Sequence, residues 1–186
     1  MKKFAVFFPG IGYTVDKPLM HYSRKLAADA GFEVLLLPYS GFPHKVKGDR
    51  EKMEKSCQIA LSQAGEMLSG TDLSAYDSVL FAGKSIGTIV AAEIAAHSPV
   101  SDRIHFLLYT PLEDTFSFPL GDALAFTGGS DPWVKEGAIP ALCRAKEIPC
   151  HIIPLANHSL ETGNVQADID NLKKIMKKTE KFIRHI

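Results

Sequence analysis

The sequence predicts an α/β fold: a three-layer sandwich in which a six-stranded parallel sheet carries helices on both faces. Three observations predict it. Six short apolar runs are near-continuous rather than alternating, as strands buried on both faces must be. Between them lie longer segments with apolar residues every three to four positions, the period of a helix with one buried face. No internal repeat, low-complexity tract or linker interrupts the alternation, so residues 1–186 are expected to form one domain, and 186 residues suit one core.

The first strand covers residues 4–8. A helix follows near Lys17, where Asp16 can cap and Pro18 fits the first turn. Leu19, Tyr22, Leu26 and Ala30 share its inner face, and Gly31 ends it. Residues 32–38 are the second strand. A loop through Gly41, Pro43 and His44 leads to a helix over 50–68, striped by Met53, Cys57, Leu61, Ala64 and Leu68. The third strand is 78–82, and a small-residue helix occupies 88–96. Strands at 103–109 and 123–127 follow, then a helix over 133–146 and a sixth strand at 150–155. The last helix spans 164–184, with Val165, Ile169, Leu172, Met176 and Ile183 facing inward.

Composition narrows the function classes. Hydrophobic residues make up 46% and charged residues 23%, ordinary for a soluble globular chain. Lys plus Arg equals Asp plus Glu at 21 each, which removes any electrostatic argument for nucleic acid or an anionic membrane as partner. The basic stretches 45–50 and 173–181 read as solvated faces. Cys57, Cys143 and Cys150 are odd in number and lack metal-ligand spacing, so reduced thiols are expected. The opening apolar run mimics a signal peptide but stops at Pro9-Gly10, and no stretch is long enough to span a membrane. The expected location is the cytoplasm.

Chemistry enters at Gly83-Lys84-Ser85-Ile86-Gly87. A serine between two glycines at a strand-to-helix turn is the pattern of a nucleophile elbow. Bulk two residues before or after the serine would clash, and the turn strains the serine itself. A phosphate-binding P-loop would need a further glycine at position 78, which is serine. Ligands of parallel sheets bind at the carboxyl ends of the strands. Ser85, Asp131 and His158 follow the third, fifth and sixth strands in that order. A serine hydroxyl needs an imidazole to take its proton, and the imidazole needs an acid to orient it and stabilise its charge.

Each residue also has a plain structural role open to it. Asp131 precedes Pro132 and can be a helix cap; Glu113 and Asp114 are the fallback acids. His21, His97, His105, His151 and His185 lie in or beside helices and strands, and His44 follows the second strand in a loop. Lys84 either lies beside the site or reaches solvent.

These motifs resemble those of the α/β-hydrolase superfamily in a small, lidless form. Gly83-x-Ser85-x-Gly87 is the most specific element, supported by Gly-x-x-Asp131 and Asn157-His158-x-Leu160-Glu161. The resemblance implies a sheet order of 2-1-3-4-5-6, without the two antiparallel strands with which typical members begin. It implies catalytic roles for Ser85, Asp131 and His158, and an oxyanion hole from the amides of Ile86 and Ile11, with Gly10 as the other choice for the second donor. The loop Pro9-Gly10-Ile11-Gly12-Tyr13 has proline where the family often has histidine. Residues 110–121 are too short for a helical lid, so an open site is expected. Tyr13, His44, Tyr109 and Trp133, with Phe116, are the substrate-pocket candidates. The implied activity is hydrolysis of an ester or thioester of a small-molecule acyl substrate, with no metal or organic cofactor. A serine peptidase on the same triad and a non-catalytic binding protein are the alternatives; a flavodoxin-like nucleotide binder fits the first loop poorly.

Overall fold

The computed structural model describes residues 1–186. Six strands, β1 (Lys3–Phe8), β2 (Phe32–Leu36), β3 (Ser78–Lys84), β4 (Ile104–Tyr109), β5 (Ala123–Gly128) and β6 (Cys150–Ile153), form one sheet. All pairs are parallel, in the order β2-β1-β3-β4-β5-β6. The chain starts inside the sheet, steps out to β2, then crosses back to β3 and advances to β6. The reversal opens a crevice between the loops that leave β1 and β3.

Helices α1 (Pro18–Asp29) and α5 (Val165–His185) cover one face, and α2 (Arg50–Leu68), α3 (Ile86–Ala96) and α4 (Ala138–Ala145) cover the other. Strand side chains divide between the two by parity. Phe4, Val6 and Phe8 of β1, with Val79 and Phe81 of β3, pack toward α2 and α3. Ala5, Phe7, Leu80 and Ala82 pack toward α1 and α5. All seven residues of β3 are buried, which explains its unbroken apolar reading.

Several element details differ from expectation. Lys17, not Asp16, occupies the N-cap of α1, and no side chain caps it; Asp16 pairs with Arg24 at 3.2 Å. Tyr22 faces outward, and Ser23 takes the inner position, where its hydroxyl lies 2.7 Å from the Tyr109 hydroxyl. Helix α4 begins at Ala138 rather than 133, after Gly137 at φ 74. Asp131 accepts from the Trp133 amide at 3.0 Å and closes a local turn there in place of a helix start. Val165 and Ile169 are 69% and 55% exposed, because the burial of α5 is carried by Ile175, Thr179 and Ile183 nearer its C-terminus. Between β4 and β5 there is a single 3-10 turn, Glu113–Ser117, whose Phe116 enters the core. No helix is long and apolar enough to cross a membrane.

Candidate active site

One residue separates β3 from α3, and it is Ser85. Its φ of 55 and ψ of −124 lie in a region that costs a side-chain-bearing residue about 1–3 kcal/mol. The surroundings hold it there. The Ser85 amide donates to the Tyr109 carbonyl at 3.0 Å, and its carbonyl accepts from the Thr88 amide and hydroxyl at 2.9 and 2.6 Å. The flanking glycines are required by close approach. A Cβ on Gly83 would stand 2.8 Å from Thr88 Cα, and one on Gly87 would overlap the Phe8 carbonyl oxygen.

Asp131 and His158 come from the loops after β5 and β6. His158 Nδ1 is 2.7 Å from Asp131 Oδ2, and its Nε2 is 2.7 Å from Ser85 Oγ. An ionised carboxylate only accepts, so Nδ1 carries the hydrogen and Nε2 is left to accept from the serine hydroxyl. The Asp131 side chain is 1% exposed, and its second oxygen is taken by the Trp133 amide. The two loops are joined by backbone bonds: Gly129 N–H to the Ile153 carbonyl at 2.8 Å, and Ser130 N–H to the Ala156 carbonyl at 2.9 Å. A side chain at Gly128 would collide with the Ala156 carbonyl and keep the loops apart. Asn157 pins the histidine loop by accepting from the amides of Ser159 and Glu161. The arrangement can pass a proton from a hydroxyl to an imidazole whose orientation and charge an acid supports. The fallback acid Glu113 accepts from the Lys135 amide instead.

Above Ser85 is a cavity of about 190 Å³ lined by Ile11, Gly12, Tyr13, Lys84, Trp133, His158 and Ser159. A larger concavity of about 580 Å³ is lined in part by Asp131 but includes neither Ser85 nor His158, which open onto the smaller one. The Gly10 amide donates to the Tyr13 carbonyl at 3.2 Å, which removes it as a donor; the Ile11 amide makes no backbone hydrogen bond. Ile86 is the first residue of α3 and has no acceptor within that helix. Both amides are free for a ligand.

The other pocket expectations divide. Tyr13 and Trp133 line the cavity, and the Trp133 ring stacks on His158 with centroids 5.1 Å apart. Tyr109 does not reach it: the ring is fully buried against Phe126 and its hydroxyl bonds Ser23 and Thr179, each at 2.7 Å. Its parity on β4 sends it toward α1 and α5. His44 is exposed and lies outside the cavity lining. Gly12 and Ser159 are lining residues not anticipated; adjacency to Tyr13 and His158 was the available signal.

Burial pushes the His158 imidazole below its usual range; Lys84 and Lys47 add to this, and Asp131 opposes it. Burial also drives the Lys84 ammonium from 10.5 down to about 7, against the pull of Asp131 and Glu161. The Tyr13 hydroxyl is pushed up to about 12, chiefly by burial.

No family model and no curated protein matches the chain. Solved structures do. A lidless α/β serine hydrolase from Xanthomonas campestris is 13% identical with a TM-score of 0.66, over 98% of this chain and 81% of that one. An esterase from Pyrococcus furiosus is 11% identical with a TM-score of 0.67, over 99% and 82%. Est1E from Butyrivibrio proteoclasticus, solved with ferulic acid bound, is 13% identical with a TM-score of 0.66, over 98% and 88%. These likenesses show the fold: the chain has the α/β-hydrolase fold.

Proposed function

We propose that this chain of α/β-hydrolase fold is a serine hydrolase that cleaves a carboxylic ester or thioester through an acyl-enzyme on Ser85. The observation that carries the reading is the unbroken hydrogen-bonded line Asp131–His158–Ser85, ending on a strained elbow serine. The serine hydrolase and esterase among the similar structures support it.

In the first half-reaction Ser85 Oγ bonds to the acyl carbon as its proton passes to His158 Nε2. The carbonyl electron pair moves onto oxygen, where the Ile11 and Ile86 amides donate to it. The tetrahedral adduct collapses, the bond to the leaving oxygen or sulfur breaks, and His158 returns the proton to that atom. Water then repeats the sequence: it gives a proton to His158, attacks the acyl carbon, and expels Ser85, which recovers the proton. Asp131 holds the imidazole and stabilises its charged form without being protonated.

The test is a fluorophosphonate probe with the adduct located by mass spectrometry, alongside turnover of short acyl esters. The expected result is labelling at Ser85 that is lost in His158→Ala, and a fall of about 10⁴-fold in turnover for Ser85→Ala or His158→Ala. Folded wild-type protein that neither labels nor turns over any ester overturns the reading.

A further inference from the structure

Lys84 is the one buried ammonium in the core: the residue is 1% exposed. Its stem passes Gly10 at van der Waals distance: a Cβ there would lie 3.6 Å from Lys84 Cγ. The ammonium lies over the Tyr13 ring at 5.0 Å from the centroid and lines the same cavity as Ser85 and His158. It has no ion-pair partner in the chain. The acids that attract it are Asp131 and Glu161. Both Asp131 oxygens are engaged by His158 and Trp133, and neither forms an ion pair with Lys84.

A buried, unpaired ammonium costs several kcal/mol, and a purely packing role at this position would be met by an apolar side chain. The residue instead lines the cavity that holds Ser85 and His158, and no salt bridge within the chain engages its ammonium. We propose that Lys84 is a specificity-determining residue that binds an anionic group of the substrate, so that the preferred ester or thioester carries a carboxylate close to the scissile carbonyl. The inference rests on the serine hydrolase reading and deepens it. An arriving carboxylate supplies the missing counterion and the acceptor. The Tyr13 ring face supports the cation without supplying a counterion. Pairing also keeps the ammonium charged where burial, against the pull of Asp131 and Glu161, brings it to about 7.

Matched esters test this. On the acyl side, mono-p-nitrophenyl succinate is compared with p-nitrophenyl 4-methylpentanoate, which replaces the carboxylate by a neutral group of the same shape. On the leaving-group side, S-butyryl thioglycolate is compared with S-isobutyl thiobutyrate. Background-subtracted kcat/KM is measured at pH 6.5. The wild type is expected to favour the charged member by about 10-fold or more in at least one pair, as a charge-assisted hydrogen bond provides. In Lys84→Met the charged member is expected to lose at least about 10-fold more than its neutral partner.

A wild-type ratio at or below one in both pairs overturns the proposal. So does equal loss for charged and neutral esters in Lys84→Met, which would make Lys84 an aid to every substrate alike. If that variant does not fold, the wild-type ratios decide. Fluorophosphonate labelling of Ser85 separates the two levels: labelled protein without anionic preference loses this inference only, whereas unlabelled, inactive protein loses the hydrolase reading with it.

Discussion

The indole of Trp133 stacks on the imidazole of His158, the two planes 24° apart and the centroids 5.1 Å apart. The same residue's amide holds the far oxygen of Asp131. Trp133 thus positions His158 by its ring and Asp131 by its backbone.

Removing the ring admits water to His158, whose pKa is depressed mainly by burial. Trp133→Ala should lower kcat/KM by about 10-fold and raise that pKa. The base must be neutral, so activity falls as pH drops through the His158 pKa, and the acid limb of the pH profile should move to higher pH. Trp133→Phe keeps a stacked ring and should keep most of both. A profile unmoved in Trp133→Ala would show that the ring does not shield His158.

The strain at Ser85 separates glycine from alanine at that position. Glycine adopts φ 55, ψ −124 without the Cβ penalty, whereas alanine retains it. Ser85→Gly should be more stable than Ser85→Ala by about 1 kcal/mol in urea titration, with both inactive. The reverse order would mean that the elbow relaxes when the hydroxyl is lost.

Gly87 and Gly65 should respond in opposite directions to the same change. A methyl on Gly87 meets the Phe8 and Pro9 carbonyl oxygens, while one on Gly65, inside α2, meets nothing within 4 Å. Gly87→Ala should cost about 3 kcal/mol or prevent folding. Gly65→Ala should stabilise by about 0.5–1 kcal/mol through helix propensity. Thermal melts of the two variants check the contrast.

Lys84 should make stability rise with pH. Its pKa is about 7 in the folded protein and 10.5 when unfolded. Below about 7 the ammonium is charged in both states and the cost of burying it is felt in full. Between 7 and 10.5 the unfolded state binds more protons, so stability increases with pH through that window. Lys84→Met should therefore be the more stable protein at pH 6.5, by on the order of 2 kcal/mol, with the gap closing toward pH 10. Urea titrations at pH 6.5 and 9.5 measure it. A gap independent of pH would mean that the ammonium is solvated or paired.

Much of this architecture is legible in the residues themselves. Strands buried on both faces cannot alternate, so the run through Val79, Leu80 and Phe81 announces a central parallel strand. Position after a strand led to Ser85, Asp131 and His158, and the structure brings the three within hydrogen-bonding distance. Position after a strand does not tell which way a side chain points. Tyr109 follows the site's strand pattern yet lies outside the cavity, because parity on β4 turns it into the core with Leu107. Lys84 shares the parity of Leu80 and Ala82, which draws it against the Tyr13 ring and away from solvent. The late start of α4 was hidden because an aspartate before a proline suits a helix cap and a free-standing turn equally well. The resemblance supplied the strand order, which hydrophobic periodicity alone does not encode.

The sheet distributes the three residues unequally. Ser85 follows a strand flanked by β1 and β4, while His158 follows β6, a four-residue edge strand paired only with β5. The loops of Asp131 and His158 are joined to each other, so they stand or fall with that edge. Edge structure opens at lower free energy than a central strand. Heating should therefore part His158 from Ser85 while the elbow is still fully built, so that on the proposed mechanism activity is lost in a subglobal event that precedes unfolding of the core.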